Sequence, residues 1–163
     1  MPEIKIQGYY PGVVGKITEL HAVYYHEHWG FNVSFETQVG RELSIFVSKF
    51  DAHRDGLWVA TADGKFAGAV AIDGKHAMTD GARLRWFIVD PKFQGVGLGN
   101  RLIALAVQFC KEKGYPKIFL WTFEGLAAAR HLYEKQGFAM VEERPGDGWG
   151  VTVNEQRFEW RPC

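Results

Sequence analysis

The 163-residue sequence predicts a mixed α/β fold, a mostly antiparallel sheet carrying one parallel crossover. Three observations carry this. Asp63-Gly64 lies between the apolar runs "LWVAT" and "FAGAVAI", a strong hairpin signal. Residues 13–25 and 34–50 space their apolar side chains by three and four, as amphipathic helices do. The apolar run "RWFIVD" then passes through glycines into a third amphipathic run, and a second apolar run, "IFLWTF", follows. Strand, helix and strand in that order form a crossover, so these two strands should be parallel neighbours.

In chain order, "IKIQGYY" reads as a short first strand. Ile17, Leu20, Tyr24 and Tyr25 give one face of a helix from Val13 to Tyr25, which "HEHWGFN" interrupts. Ser34 is placed to cap a second helix, with Phe35, Val39, Leu43, Phe46, Val47 and Phe50 turned inward. The hairpin and the polar connection "DGKHAMTDG" come next. In "ARLRWFIVD", alternation puts Leu84, Trp86 and Ile88 on one face, and Arg83, Arg85, Phe87 and Val89 on the other. Leu98 to Lys113 is a helix with Leu102, Leu105, Ala106 and Phe109 toward the core, ended by Gly114. "LAAARHLYEKQ" is a helix stopped by Gly137. "FAMVEER" and "VTVNEQRFEW" are the last strands, joined by "PGDGWG". The order β-α-α-β-β-β-α-β-α-β-β shows no repeat and no linker, so one domain over residues 1–163 is expected.

Composition narrows the function. A chain of this length buries roughly 70% of its unfolded surface, enough for a core. With 19 basic and 19 acidic residues, neither nucleic acid nor an anionic membrane is supported as the partner. No window approaches the roughly 18 apolar residues of a membrane span. Cys110 and Cys163 form no CxxC pair and no disulfide framework, which fits a reducing compartment, and a cytoplasmic protein is expected. Aromatic residues make up 15% of the chain, enough both to fill a core and to line a pocket.

The glycines of "FQGVGLGNRL" carry the most chemistry. A helix N-terminus presents unpaired N–H groups and a partial positive charge. Glycines just before it let an anion approach the backbone. Gly95, Gly97 and Gly99 stand in that place. A tight turn at positive φ accounts for one of them but hardly for three. A P-loop is excluded because "GVGLGNRL" has no lysine or hydroxyl in position. A dinucleotide fingerprint fails because Asn100 stands at the third glycine position and the nearest later acid, Glu112, lies on the helix. The pattern [QR]xxGxG matches Gln94 to Gly99 in full.

With "VDPKF" before that loop and "LYEKQGF" about 40 residues after it, the sequence resembles the GNAT superfamily of N-acetyltransferases. "YYHEHWGFN" and the closing "DGWG" segment resemble a bacterial sub-group often fused to MarR-type regulators. The resemblance implies a GNAT-like sheet of about six or seven strands with a splayed parallel pair flanked by helices. It implies acetyl-CoA as co-substrate, its pyrophosphate on the backbone of Gln94, Gly95, Val96, Gly97, Leu98 and Gly99, with Asn100 in the first helical turn. The pantetheine arm would pair with the backbone of Phe87, Ile88 and Val89 as an added strand. Tyr133 matches the tyrosine that points at the coenzyme sulfur in many members. A phenol there protonates a leaving thiolate or hydrogen-bonds to it.

Two positions depart from the family. Leu126 and Phe123 stand where many members have an asparagine against pantetheine, and the strand before the loop offers Arg83 and Arg85 in place of a glutamate base. The base must then come from elsewhere. Glu27, in the aromatic segment of Tyr24, Tyr25 and Trp29, is the first candidate, and Glu124 the second. "HEH" lacks a third ligand, so no metal is expected. Arg83, Arg85 and Trp86 are candidates to shape the acceptor pocket, although exposed strand positions explain the arginines equally well.

The implied reaction is acetyl transfer from acetyl-CoA to a primary amine by direct attack in a ternary complex, with a small molecule or peptide as acceptor. The alternative is a non-catalytic acyl-CoA-binding or regulatory domain of the same fold, which the missing glutamate and asparagine favour. Family members often dimerise, so a homodimer stays open.

Overall fold

The structure, a computed structural model, describes residues 2–162. Cys163 lies outside them. Seven strands, β1 (Ile4–Gln7), β2 (Gly56–Ala62), β3 (Lys65–Asp73), β4 (Ala82–Val89), β5 (Ile118–Phe123), β6 (Ala139–Gly146) and β7 (Val153–Trp160), form one sheet in the order β1-β2-β3-β4-β5-β7-β6. Four helices, α1 (Val13–Trp29), α2 (Val33–Ser48), α3 (Leu98–Lys113) and α4 (Ala127–Lys135), complete it. The element order is the one the sequence predicts. Every strand pair is antiparallel except β4 with β5.

The parallel pair is the feature on which the site depends. β4 and β5 are in register only at Ala82–Ile118 and Arg83–Phe119. From Leu84 onward β4 has no strand partner on that side. The sheet therefore parts in its middle, with β3 holding one lip and β7 the other.

Two layers cover the sheet. On one face Leu102, Ile103, Ala106, Val107 and Cys110 of α3 pack with Val70, Ile72, Leu84, Leu120 and Phe158. On the other, Val13 and Ile17 of α1 and Leu43 and Phe46 of α2 pack on Val59, Ala69 and Ala71. Fully burying one such side chain contributes about 1.5–3 kcal/mol, so the two layers supply most of the stabilisation. A third cluster joins Phe31, Phe35, Val39, Phe123 and Val153, with Tyr25, Trp29 and Trp149 against it.

The structure corrects several sequence expectations. α1 runs on to Trp29, because "HEHW" is its last turn and Gly30 its left-handed C-cap. Asn32, not Ser34, caps α2, and its side chain accepts from the Ser34 N–H at 3.0 Å. On α3 the buried stripe is Leu102, Ile103, Ala106, Val107 and Cys110; Leu105 is exposed. Phe50 falls beyond the end of α2 and is exposed.

The alternation predicted for β4 fails at Trp86. Its pairing with β3 shifts by one residue between Ala69–Ile88 and Ala71–Arg85, and Trp86 takes φ 50°. This is a β-bulge, with one extra residue on β4. Leu84, Phe87 and Val89 consequently face the α3 layer, while Trp86 packs on the α1–α2 side. A bulky side chain at positive φ costs on the order of 1–3 kcal/mol, and such strain concentrates at functional sites.

Candidate active site

The gap between β4 and β5 opens into a cleft of about 190 Å³. Because the strands part, its walls come from both faces of the sheet. Leu84, Phe87, Leu120, Ala129 and Tyr133 line the α3–α4 side. His21, Tyr25, Phe35, Trp86, Phe123 and Trp149 line the α1–α2 side. Two ligands entering from opposite faces would meet in the middle.

Tyr133 comes to the cleft from α4. Its ring rests on Phe87, Phe138 and Phe158 with centroids 5.9–6.0 Å apart. Only 5% of the residue is exposed, and its hydroxyl makes no hydrogen bond among the described residues. Burial, and then the neighbouring Tyr25, raise its pKa far above the ordinary phenol value, so it holds its proton.

The glycine loop lies beyond the cleft, where β4 ends. Asp90 accepts from the Lys92 N–H at 2.9 Å and starts a short 3₁₀ turn over Pro91–Phe93. Gln94 Nε2 donates to the Val89 carbonyl at 3.3 Å, tying the loop back to the strand. Gly95 and Gly97 both adopt positive φ, 85° and 79°. A Cβ at Gly99 would meet Leu132 Cδ1 at 3.0 Å, so this glycine lets α3 approach α4 closely. All three glycines thus have conformational or packing reasons, more than the single one the sequence suggests. The observations that favour an anion are others. Gly97 caps α3 with no side-chain partner for the first N–H groups. A Cβ on Gly95 or Gly97 would meet nothing within 4 Å, so the space above the loop is clear. Val96 is partly exposed beside it, whereas the Leu98 side chain is buried in the core and offers only its backbone. Asn100 Oδ1 is buried without a partner among the described residues; as an acceptor it does not itself favour an anion.

Of the residues predicted from sequence, Phe87 and Tyr133 line the cleft. Ile88 is buried opposite Ala69, and Val89 leads into the loop. Glu27 is exposed on α1 and does not line the cleft. The helix explains this: Tyr25 faces the cleft, and two residues further on is about 200° around the axis. Glu124 is also exposed, within reach of Asn154 Nδ2 at 3.2 Å.

The structure brings in His21, Trp121 and Glu155, which the sequence reading passed over. His21 had a signal: it stands in the apolar stripe Val13, Ile17, His21, Tyr25, a titratable group at a core position. Its Nδ1 lies 2.8 Å from the Ile17 carbonyl. A carbonyl only accepts, so Nδ1 carries the proton and Nε2 keeps the lone pair. Burial lowers the His21 pKa to about 4, so the ring is neutral at pH 7.

The aromatic end is closed by the β6–β7 loop. Trp149 Nε1 donates to Gln38 Oε1 at 2.9 Å, and the Asn32 N–H donates to the Trp149 carbonyl at 2.9 Å. Trp149 sits 4.9 Å from Phe31 and 5.1 Å from Phe35. Such aromatic pairs contribute about 0.5–1.5 kcal/mol each beyond area burial. No group of three metal-ligating side chains occurs among the described residues.

Residues 16–138 match the model of the acetyltransferase (GNAT) family. A Methanocaldococcus jannaschii protein described as an uncharacterized N-acetyltransferase is 31% identical over 99 residues, 58% of this chain and 43% of that protein. Xenopus tropicalis N-acetylaspartate synthetase is 34% identical over 105 residues, 63% of this chain and 38% of its own length. The chain thus spans less than half the length of these curated relatives. Among solved structures, a Staphylococcus aureus acetyltransferase of the GNAT family superposes with a TM-score of 0.78 at 16% identity, covering 98% of this chain and 99% of that one. A Salmonella typhimurium protein solved with its cofactor acetyl-CoA gives 0.75 at 16% identity, over 97% and 93%. These two share the fold.

Proposed function

This chain belongs to the acetyltransferase (GNAT) family, and from that premise we propose that it moves an acetyl group from acetyl-CoA to an amine within a ternary complex. The parting of β4 from β5 after Arg83 carries the reading. It leaves one free backbone edge that ends at the uncapped start of α3, and a cleft that both faces of the sheet can feed.

Bound acetyl-CoA supplies the acetyl group as a thioester. The N–H groups from Gly95 to Gly99 hold its pyrophosphate, assisted by the partial positive charge of α3. The backbone of Phe87, Ile88 and Val89 pairs with its arm as a strand would. Tyr133, kept protonated by burial, donates to the sulfur as the carbon–sulfur bond breaks. His21 Nε2 accepts a hydrogen bond from the amine, or from a water that takes the amine's proton. The walls hold the two reactants together and exclude water, which alone contributes a large share of such a rate. Cys110 does not serve as a nucleophile: it is buried in the α3 layer, away from the cleft, and burial pushes its thiol up to about 12. Direct attack by the amine fits that.

Thermal unfolding with acetyl-CoA, coenzyme A or NAD, followed by coenzyme A release with a panel of amines, tests the proposal. Stabilisation by both coenzyme A species and turnover of an amine are expected. Stabilisation by coenzyme A without turnover of any amine would favour a non-catalytic acyl-CoA-binding domain. Stabilisation by NAD alone would overturn both.

A further inference from the structure

Arg83 is the charged group of the cleft that the reaction above leaves without a role. It lines the cleft from β4, at the point where β4 and β5 separate. Its Nε is buried and has no hydrogen-bond partner among the described residues. Among the described residues its guanidinium makes no salt bridge either. Asp73 stands opposite Arg83 on the β3–β4 ladder but forms no ion pair with it among the described residues, and the other charges nearby are matched. Arg85 is bound to Glu42 and also stacks on Trp86 at 4.2 Å. Arg157 Nε lies 3.0 Å from Glu159, and Arg144 Nε lies 3.2 Å from Glu155. Arg83 is therefore the cleft arginine without a direct ion pair: burial and the like charge of Arg85 oppose its charge, and Glu42 and Asp73 only partly offset them from a distance.

A half-buried guanidinium with no ion-pair partner is costly to hold, so an apolar side chain of similar length in its place should cost the fold little. Its planar fork suits an oxyanion held by two parallel N–H···O bonds, a carboxylate or a phosphate, and with the coenzyme's pyrophosphate placed at the glycine loop the carboxylate is the one left for this end. The rest of the wall fits an amine carrying one. Trp86, Trp121 and Phe123 are apolar, and His21 offers a neutral lone pair toward the amine end. We propose that Arg83 anchors a carboxylate of the acceptor, so that the substrate class is amino acids or similar amines bearing a carboxylate near the amine. This rests on the acetyltransferase reading for its chemistry, but not for its anion site.

The test compares L-amino acids with their amides and with polyamines, in wild type and in Arg83→Met and Arg83→Lys. Acetyl transfer is followed by coenzyme A release, and binding by thermal stabilisation. Carboxylates should exceed their amides in kcat/KM by about 30-fold, the factor expected of a charge-assisted pair. Arg83→Met should remove that preference through KM, Arg83→Lys should restore part of it, and acetyl-CoA binding should not change. Arg83→Met should also melt no lower than wild type, which a purely structural arginine would not permit. If amides or polyamines react as well as carboxylates, and Arg83→Met does not matter to them, the inference fails while the acetyltransferase reading stands. If nothing is acetylated but carboxylates still stabilise wild type and not Arg83→Met, the anion site stands and the acetyltransferase reading fails. With neither transfer nor stabilisation, both fail.

Discussion

The coenzyme end and the acceptor end of the cleft are built from different materials. At the coenzyme end the contacts are backbone: the free edge of β4, and the N–H groups of a loop with Gly95 and Gly97 at positive φ. At the acceptor end they are side chains from α1, α2, β4, β5 and the β6–β7 loop. Backbone recognition is local, so it needs particular residues close together in sequence. Side-chain recognition is assembled by the fold, from positions up to 128 residues apart in His21 and Trp149. The first can stay constant while the second changes with the acceptor. A test of this contrast asks whether damage to one end leaves the other intact.

Gly97→Val should give the largest effect, and only at the coenzyme end. Position 97 has φ 79°, where a side chain costs roughly 1–2 kcal/mol. A Cβ there meets nothing in the protein, so the fold should survive that cost. It points into the space proposed for pyrophosphate. Calorimetry should show acetyl-CoA affinity reduced about 100-fold or more, close to 2.7 kcal/mol. An unchanged affinity would move the coenzyme site away from this loop.

The acceptor end should show itself next, in the pH dependence of stability. His21 has a pKa of about 4 in the folded chain against 6.5 when exposed. Below pH 6.5 the unfolded chain gains a proton that the folded chain refuses until about pH 4. Stability is thus full above pH 6.5 and falls as the pH drops through that window. The loss at pH 5 is about 2 kcal/mol. Urea unfolding at pH 7 and pH 5 measures it, and His21→Gln should remove most of the difference. A His21→Gln chain with the wild-type pH dependence would show that other groups carry it.

The same contrast explains what was legible in the sequence. Element order, the hairpin at Asp63-Gly64, the bounds of α3 and the loop all rest on local signals, and the structure reproduces them. The bulge at Trp86 had none. It arises because β4 must pair with β3 while leaving β5, and strict alternation then assigns Trp86 and its neighbours to the wrong faces. The aromatic neighbours of Glu27 in sequence point to the cleft, but helical geometry turns Glu27 away from it. His21 was visible as a polar residue in an apolar stripe. Its contact with the cleft depends on where α1 lands on the sheet, which no local pattern encodes.

Tyr133→Phe probes the point where the two ends meet. The hydroxyl has no partner among the described residues, so its removal should leave the melting temperature within a degree or two. A general acid contributes roughly 10²–10⁴-fold in many reactions. A thiolate leaves more easily than an alkoxide or amide, so a fall in kcat of about tenfold is expected here, with acetyl-CoA affinity retained. Steady-state kinetics beside calorimetry separate the two. A loss of coenzyme binding with kcat intact would make Tyr133 a wall and not a proton donor.

The smallest effect should come from Glu27→Gln. The side chain is exposed, makes no ion pair among the described residues and does not line the cleft. Surface substitutions of this kind stay within about 0.5 kcal/mol in stability. Rate and pH profile should both match wild type. The result matters because Glu27 is the carboxylate that sequence reasoning puts first as base. If Glu27→Gln instead lowered kcat with an altered acidic limb, α1 would have to turn by roughly half a revolution when the acceptor binds. The acceptor end would then be assembled by its ligand, while the coenzyme end, made of backbone, stands ready without one.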